Sequence, residues 1–344
     1  MEENIFKVSS YDYRLPEELI AQNPADPRDS SRLMVLSRED GSLDHRVFSD
    51  LVEYLRSDDV LIRNDTRVMA ARLKGKKVEG EAEVEILVLS RLSGQTWEAM
   101  VRPGRRLKPG VSVQLSDGTI VKVDGIRPEG LRSVTFPDDV DVPSLLDKVG
   151  TVPLPPYITD SNASPEAYQT VFANKVGSAA APTAGLHFTP ELIERIEKKG
   201  VEILDVTLQV GLGTFRPVKE EDLRHHPMHR ERCQISSYTA DRINEAKAQG
   251  RRIVAVGTTS VRTLESMGDS GVLLSGERDT SLFIYPGFEF KIVDAMITNF
   301  HLPQSTLLML VSAFAGRERT LNAYKEAVSM AYRFFSFGDA MFIY

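Results

Sequence analysis

The stretch Gly177–Val218, GSAAAPTAGLHFTPELIERIEKKGVEILDVTLQVGLGTFRPV, sets a small-residue loop, a helix, a strand and a second glycine loop in succession. Ala179 to Ala181, followed by Pro182, Thr183, Ala184 and Gly185, carry almost no side-chain bulk, so a ligand can approach the backbone closely. Thr189 and Pro190 supply an N-cap and a first-turn proline, Leu192, Ile193 and Ile196 recur at helical spacing, and Gly200 closes the helix over 190–199. A strand over 201–210 then leads to Gly211-Leu-Gly213-Thr214. A loop before a helix and a glycine loop after a strand are where α/β proteins commonly hold a ligand.

Working outward, residues 1–65 mix short helices and strands: a helix starts at Pro16, and Leu33–Leu36 and Val60–Ile62 are strand-like. From Ala71 the texture changes to short strands at 82–92, 96–101, 111–115, 119–123 and 131–136, separated by turn residues. After Pro153-Leu-Pro-Pro156 the helix–strand alternation returns, with helices near 165–173, 239–249, 260–267 and 318–334 and a strand at 252–256. The expected fold is an α/β main domain, residues 1–70 and 151–344, with a small antiparallel β-barrel or sandwich inserted at 71–150.

With 344 residues, 42% hydrophobic and 26% charged, the chain can bury a core for two domains. Cys233 is the only cysteine, so no intrachain disulfide or cysteine metal cluster can form, which suits a cytoplasmic location. No apolar run reaches the roughly 18 residues of a membrane span. The net charge of −7 argues against chain-wide affinity for nucleic acid, so any such contact must be a local patch. Arg102, Arg105 and Arg106 form one at the turn after a strand, although basic runs are usually solvated faces.

Three further places carry candidate chemistry. In Arg252–Glu265, RIVAVGTTSVRTLE, a strand runs into Gly-Thr-Thr-Ser and a helix, an anion-holding arrangement unless Thr259 or Ser260 merely caps the helix. His225-His-Pro-Met-His229-Arg-Glu231 offers a general base, but it lacks H-E-x-x-H spacing, so no metal site is expected. Lone histidines such as His187 and His301 are more often structural than catalytic. Asp65 and Arg67 suit either a mutual ion pair or a contact to a sugar hydroxyl. Neither the dinucleotide fingerprint nor the P-loop is complete.

Taken together, NDTRV, RPGRRLKPG, GSAAAPTAGLHFTPEL, VGLGTFRPV, AVGTTSVRTLE and TNFHLPQSTLLMLVSAFAG closely resemble the S-adenosylmethionine:tRNA ribosyltransferase-isomerases of queuosine biosynthesis, in order along nearly the whole chain. The resemblance implies transfer of the ribosyl part of S-adenosylmethionine onto 7-aminomethyl-7-deazaguanine at the tRNA wobble position, giving epoxyqueuosine, adenine and methionine. It implies no metal and no cofactor, S-adenosylmethionine being a co-substrate. Two positions depart from the family pattern: Gln209 stands where a histidine is usual, and Arg230 where a small residue is usual.

On that reading the expected catalytic groups are His187 as base, with His229 and Glu231 as the second choice. Substrate contacts are expected from Thr183, Gly185, Phe188, Gly211, Gly213, Phe215, Thr258, Thr259, Ser260, Arg262, Asn299 and Phe300, with the phenylalanines facing the sulfonium. Arg102, Arg105 and Arg106 are the expected tRNA contacts. The protein is expected to be a monomer with no membrane partner. Two alternatives remain at this stage: an S-adenosylmethionine-dependent RNA methyltransferase, although the glycine-rich loop after its first strand is missing, and a non-catalytic tRNA-binding protein.

Overall fold

The computed structural model describes residues 5–211, 220–228 and 230–344. The chain divides into two compact units, Met1–Arg67 with Pro155–Tyr344, and Val68–Leu154.

The larger unit begins with strands β1 (Arg32–Leu36) and β2 (Leu43–Val47), the short helix α1 (Leu51–Tyr54), and strands β3 (Val60–Asn64) and β4 (Thr66–Val68), the last crossing into the second unit. The second unit is a closed antiparallel barrel of β5 (Arg72–Lys77), β6 (Glu83–Ser93), β7 (Thr96–Arg102), β8 (Ser112–Leu115), β9 (Ile120–Ile126) and β10 (Arg132–Thr135), in the order β10-β7-β6-β5-β8-β9, followed by helix α2 (Val142–Val149). A barrel rather than a sandwich results because β10 pairs with both β7 and β9, which removes the free edges. Alternate side chains such as Val113, Val121, Val123 and Val134 fill its interior. Strand β5, RLKGKK, escaped sequence reading because its outward positions are lysines; Gly75 is required there, since a Cβ would lie 2.7 Å from the Gln114 carbonyl oxygen on β8.

The larger unit resumes with β11 (Lys175–Ser178), α3 (Pro190–Lys198), β12 (Glu202–Gln209), β13 (Glu231–Ile235), α4 (Ser237–Ala248), β14 (Ile253–Val256), α5 (Gly257–Met267), β15 (Gly276–Thr280), β16 (Ala295–Asn299), α6 (Thr306–Ala315), α7 (Arg317–Ser329) and β17 (Ala340–Ile343). Its nine-stranded sheet has the order β15-β13-β12-β3-β14-β16-β17-β1-β2, with β12, β3, β14 and β16 mutually parallel. Both faces are covered, which is why its central strands read as continuous apolar runs. Ile253, Ala255, Met34 and Met341 pack into one core, whereas Val254, Val256, Leu33 and Phe342 pack into the other. Among the described residues no helix is long and apolar enough to cross a membrane.

Helix α3 forms as its signals dictate: the Thr189 hydroxyl accepts from the Leu192 N–H at 3.1 Å, and Gly200 follows with φ +100°. Several helices differ from the sequence expectation. Only a 3₁₀ turn, Glu17–Leu19, forms after Pro16. At 165–173 the helix stops as a 3₁₀ turn at Tyr168, because Gln169 is extended and β-branched Thr170 and Val171 follow. Helix α7 ends at Ser329 rather than 334: Ala331 takes φ +52°, and Tyr332 and Phe334 leave the helix to be fully buried.

Candidate functional site

The carboxyl ends of β12, β14 and β16 point to one edge of the sheet, and β17, antiparallel to β16, begins at that edge. A cavity of about 410 Å³ opens there. Its wall combines the small-residue loop Ala180–Ala184, the start of α5, the end of β16 at Thr298 and Asn299 with the following His301–Ser305, and Phe335 with Ser336 before β17. This is the place where parallel α/β sheets bind ligands. Among the described residues no aspartate, glutamate, lysine or arginine lines it, whereas eight hydroxyl-bearing side chains do. Two lining residues, Gln304 and Phe335, hold φ of +59° and +74°. Non-glycine residues kept in this conformation cost of order 1 kcal/mol each and cluster at ligand sites.

Helix α5 supplies the polar pole. Gly257, at φ +84°, lets the chain turn from β14 directly into the helix, so Thr258 and Thr259 occupy its first turn instead of preceding it. Neither Thr259 nor Ser260 caps it: the N-cap is Val256, without a side-chain bond, and the Ser260 hydroxyl donates to the Val256 carbonyl at 2.8 Å. The buried Thr259 Oγ1 has no partner among the described residues. Free first-turn N–H groups, an unpartnered hydroxyl and the positive end of the helix dipole together suit an anion.

Of the other expected contacts, Thr183 and Asn299 line the cavity. The Thr183 hydroxyl donates to Asn299 Oδ1 at 3.0 Å, and Asn299 Nδ2 donates to the Phe335 carbonyl at 3.1 Å and to His187 Nε2 at 3.0 Å. These partners fix the amide orientation and make Nε2 of His187 an acceptor. Its proton therefore sits on Nδ1 and is donated to Ser31 Oγ at 2.8 Å. His187 is 4% exposed, stacks on Phe48 at 4.9 Å, and burial pushes its pKa down to about 4. Expected as the base, it has no lone pair left to offer and does not line the cavity. It positions Asn299, and through it Thr183.

Further expectations are corrected by packing. Gly185 does not line the cavity, and a Cβ there would meet Phe172 Cζ at 2.6 Å and Thr170 Cγ2 at 2.8 Å. Phe188 and Phe300 are core residues, 1% and 0% exposed, the latter among Tyr324, Tyr332 and Phe334. Glu231 accepts from the Gly211 N–H at 3.0 Å and forms a buried ion pair with Arg262, whose Nε also donates to the Leu282 carbonyl. Gly211, Glu231 and Arg262, like Ser260, do not line the cavity, although Gly211 follows the lining residue Val210. Gly213, Phe215 and His229 lie outside the described residues. Asp65 accepts from the Thr207 hydroxyl at 2.6 Å, and burial raises its pKa, while Arg67 is exposed and no ion pair joins the two. Of the departures from the family pattern, Gln209 sits where its amide would collide with any Cβ at Gly177.

In the barrel, Arg102 ends β7, and Arg105 and Arg106 lie exposed in the following turn. The turn is held by an arginine sequence reading passed over. Buried Arg132 donates to the carbonyls of Gly104, Leu107, Gly130 and Leu131 at 2.6 to 3.0 Å, using its guanidinium as a bracket. Also missed was Tyr157, whose ring lies 4.3 Å from that of Phe335; His301, weighed only as a lone histidine of structural type, stands with it in the cavity wall. The only signal for His301 was its place in TNFHLPQ at the end of a strand. Among the described residues no three His, Cys, Asp or Glu side chains are gathered to hold a metal ion.

Comparison with known proteins shows the family. A family described as "Queuosine biosynthesis protein" matches residues 8–343. The S-adenosylmethionine:tRNA ribosyltransferase-isomerase of Desulfitobacterium hafniense is 52% identical over 339 residues, covering 98% of this chain and 99% of its own. That of Thermosipho africanus is 54% identical over 338 residues, covering 98% and 100%. The crystal structure of the S-adenosylmethionine tRNA ribosyltransferase of Thermotoga maritima is similar with a TM-score of 0.56 at 41% identity, over 98% of this chain and all of that one.

Proposed function

We propose, from the premise that this chain belongs to the queuosine biosynthesis protein family, that it is an S-adenosylmethionine:tRNA ribosyltransferase-isomerase. It transfers and isomerises the ribosyl moiety of S-adenosylmethionine onto 7-aminomethyl-7-deazaguanine at the tRNA wobble position, forming epoxyqueuosine and releasing adenine and methionine. The observation that carries the placement is the cavity at the carboxyl edge of the sheet, lined among the described residues by uncharged side chains and ended by the open first turn of α5.

In this reading the methionine carboxylate sits on the first-turn N–H groups of α5 and the hydroxyls of Thr258 and Thr259. The sulfonium faces the rings of Tyr157 and Phe335, in place of Phe188 and Phe300. Asn299 and Thr183, locked by His187, present fixed dipoles, which stabilise developing charge without reorganising. Phe215 remains a proposed substrate contact and His229 the second candidate for the base. Arg102, Arg105 and Arg106 hold tRNA phosphates, their turn fixed by Arg132. The reading uses no metal and no cofactor besides the co-substrate, and takes the protein as a cytoplasmic monomer.

The test mixes purified protein, S-adenosylmethionine and an anticodon stem-loop carrying 7-aminomethyl-7-deazaguanine, and follows adenine release with nucleoside mass spectrometry. Adenine together with the epoxide nucleoside supports the reading. A methylated nucleoside, or RNA binding without adenine release, sinks it.

A further inference from the structure

Among the described residues His301 is the one imidazole in the cavity wall, and an unusual amount of structure holds it. Its backbone is fixed from two sides: the N–H donates to the Tyr324 hydroxyl at 3.1 Å, and the carbonyl accepts from the Tyr13 hydroxyl. Those two tyrosine rings pack edge to face at 5.2 Å, and Tyr324 is wholly buried. The imidazole is fixed as well, Nε2 bonding Thr298 Oγ1 at 2.8 Å, with Thr298 1% exposed on β16. Nδ1 has no hydrogen-bond partner among the described residues and is not enclosed by the protein. His187 is the opposite case, with both nitrogens consumed.

Elimination points the same way. The described wall offers no carboxylate or amine. Burial raises the pKa of both its tyrosines, Tyr157 and Tyr168, keeping them protonated. Burial pushes His301 down to about 3, so its ring is neutral near pH 7 and able to accept a proton. A bound methionine carboxylate raises that proton affinity from its value in the empty cavity.

We propose that Nδ1 of His301 removes the proton from the ribose carbon beside the sulfonium, an assignment that rests on the reaction proposed above. With Nε2–H donated to Thr298, the Nδ1 lone pair faces the substrate. The C–H bond breaks, an N–H bond forms, and the electron pair stays on the carbon, stabilised by the adjacent sulfonium. That pair closes a double bond to the neighbouring ring carbon as that carbon's bond to the ring oxygen breaks. The oxygen's pair closes a carbonyl at the carbon that bore adenine, the bond to adenine breaks with its pair on the base, and the imidazolium passes its proton to a ring nitrogen of adenine. Adenine leaves neutral, and His301 returns to its starting state. Thr298 is a positioning residue in this step.

The full chain is assayed with S-adenosylmethionine deuterated at the ribose 5′-carbon and the modified stem-loop, comparing wild type with His301→Gln, His301→Asn, Thr298→Val and His229→Gln. Adenine release and loss of deuterium to water are followed, together with the rise in Tm that S-adenosylmethionine causes. Both His301 variants are expected to lose at least about a hundredfold in kcat for both readouts, with the KM for S-adenosylmethionine and the Tm rise nearly unchanged. Thr298→Val is expected to lose about tenfold in kcat, since Thr298 only orients the ring. Turnover within about threefold of wild type in a folded His301 variant overturns the assignment, as does a loss shared equally by the Tm rise, which marks a binding contact. A hundredfold loss in His229→Gln with His301→Asn active transfers the role to His229. If neither His301 variant folds, near-normal kcat in Thr298→Val overturns it. Wild type that releases no adenine overturns the reaction itself; wild type and His301→Gln releasing it equally overturn only His301.

Discussion

Mild acid is expected to destabilise the larger unit through His187. The imidazole titrates at 6.5 when unperturbed, and burial lowers it to about 4 in the folded protein, with Asp339 opposing the shift in part. Between those values the unfolded chain binds a proton that the folded one refuses, so stability is intact above the unfolded pKa and falls as pH drops through it. At about pH 5 the unfolded imidazole favours its protonated form roughly thirtyfold while the native one barely binds, a loss of about 2 kcal/mol relative to about pH 7. The loss approaches about 3 kcal/mol below the folded pKa. His301, lowered to about 3, adds a loss of the same sign, so the term is isolated by difference. Urea unfolding of wild type and His187→Gln at about pH 7 and about pH 5, followed by far-ultraviolet circular dichroism, should show wild type losing about 2 kcal/mol more than the variant. Trp97, the one tryptophan, lies in the barrel and reports that unit separately. Equal losses in the two proteins, within about 0.5 kcal/mol, would refute the buried, neutral His187.

Three other outcomes follow from the same geometry. Glu231→Ala leaves the buried Arg262 without its counter-charge and should cost about 3 to 5 kcal/mol of stability; a melting temperature near wild type counts against the buried pair. Arg132→Lys gives up the forked bonds to the turn carbonyls and should cost about 2 to 4 kcal/mol in an unfolding transition read by Trp97, with no change contradicting the bracket. Neutralising Arg102, Arg105 and Arg106 to glutamine should reduce the slope of log affinity for the stem-loop against log salt by about 2, and an unaltered slope places the RNA elsewhere.

The signals that sequence carries reliably are local, and where capping or turn residues set both ends of an element it formed where expected. Thr189-Pro190 and Gly200 delimit α3 because capping depends on residues within one turn. The barrel strands other than β5 stand within a few residues of the expected runs, since turn residues and alternation are read over a few positions. Strands β16 and β17 were not picked out: they are short and enclosed on both faces, and nothing in so brief an apolar run separates strand from helix. Helix α7 was read too far because Tyr332 and Phe334 continue an apolar spacing that tertiary burial uses in another conformation.

The sequence alone determined the family, the α/β and barrel material and the loops that carry chemistry, all from contiguous motifs. The roles within the site depended on partners far apart in the chain. In GLHF and NFHL the two histidines look alike, each beside leucine and phenylalanine. His187 is closed by Ser31, 156 residues away, and by Asn299, 112 away, whereas His301 is held by Thr298, three residues before it, and left open on its other nitrogen. A histidine's proton affinity and its free lone pair are properties of its surroundings, and the closed sheet edge, rather than the residue, decides which imidazole meets the substrate.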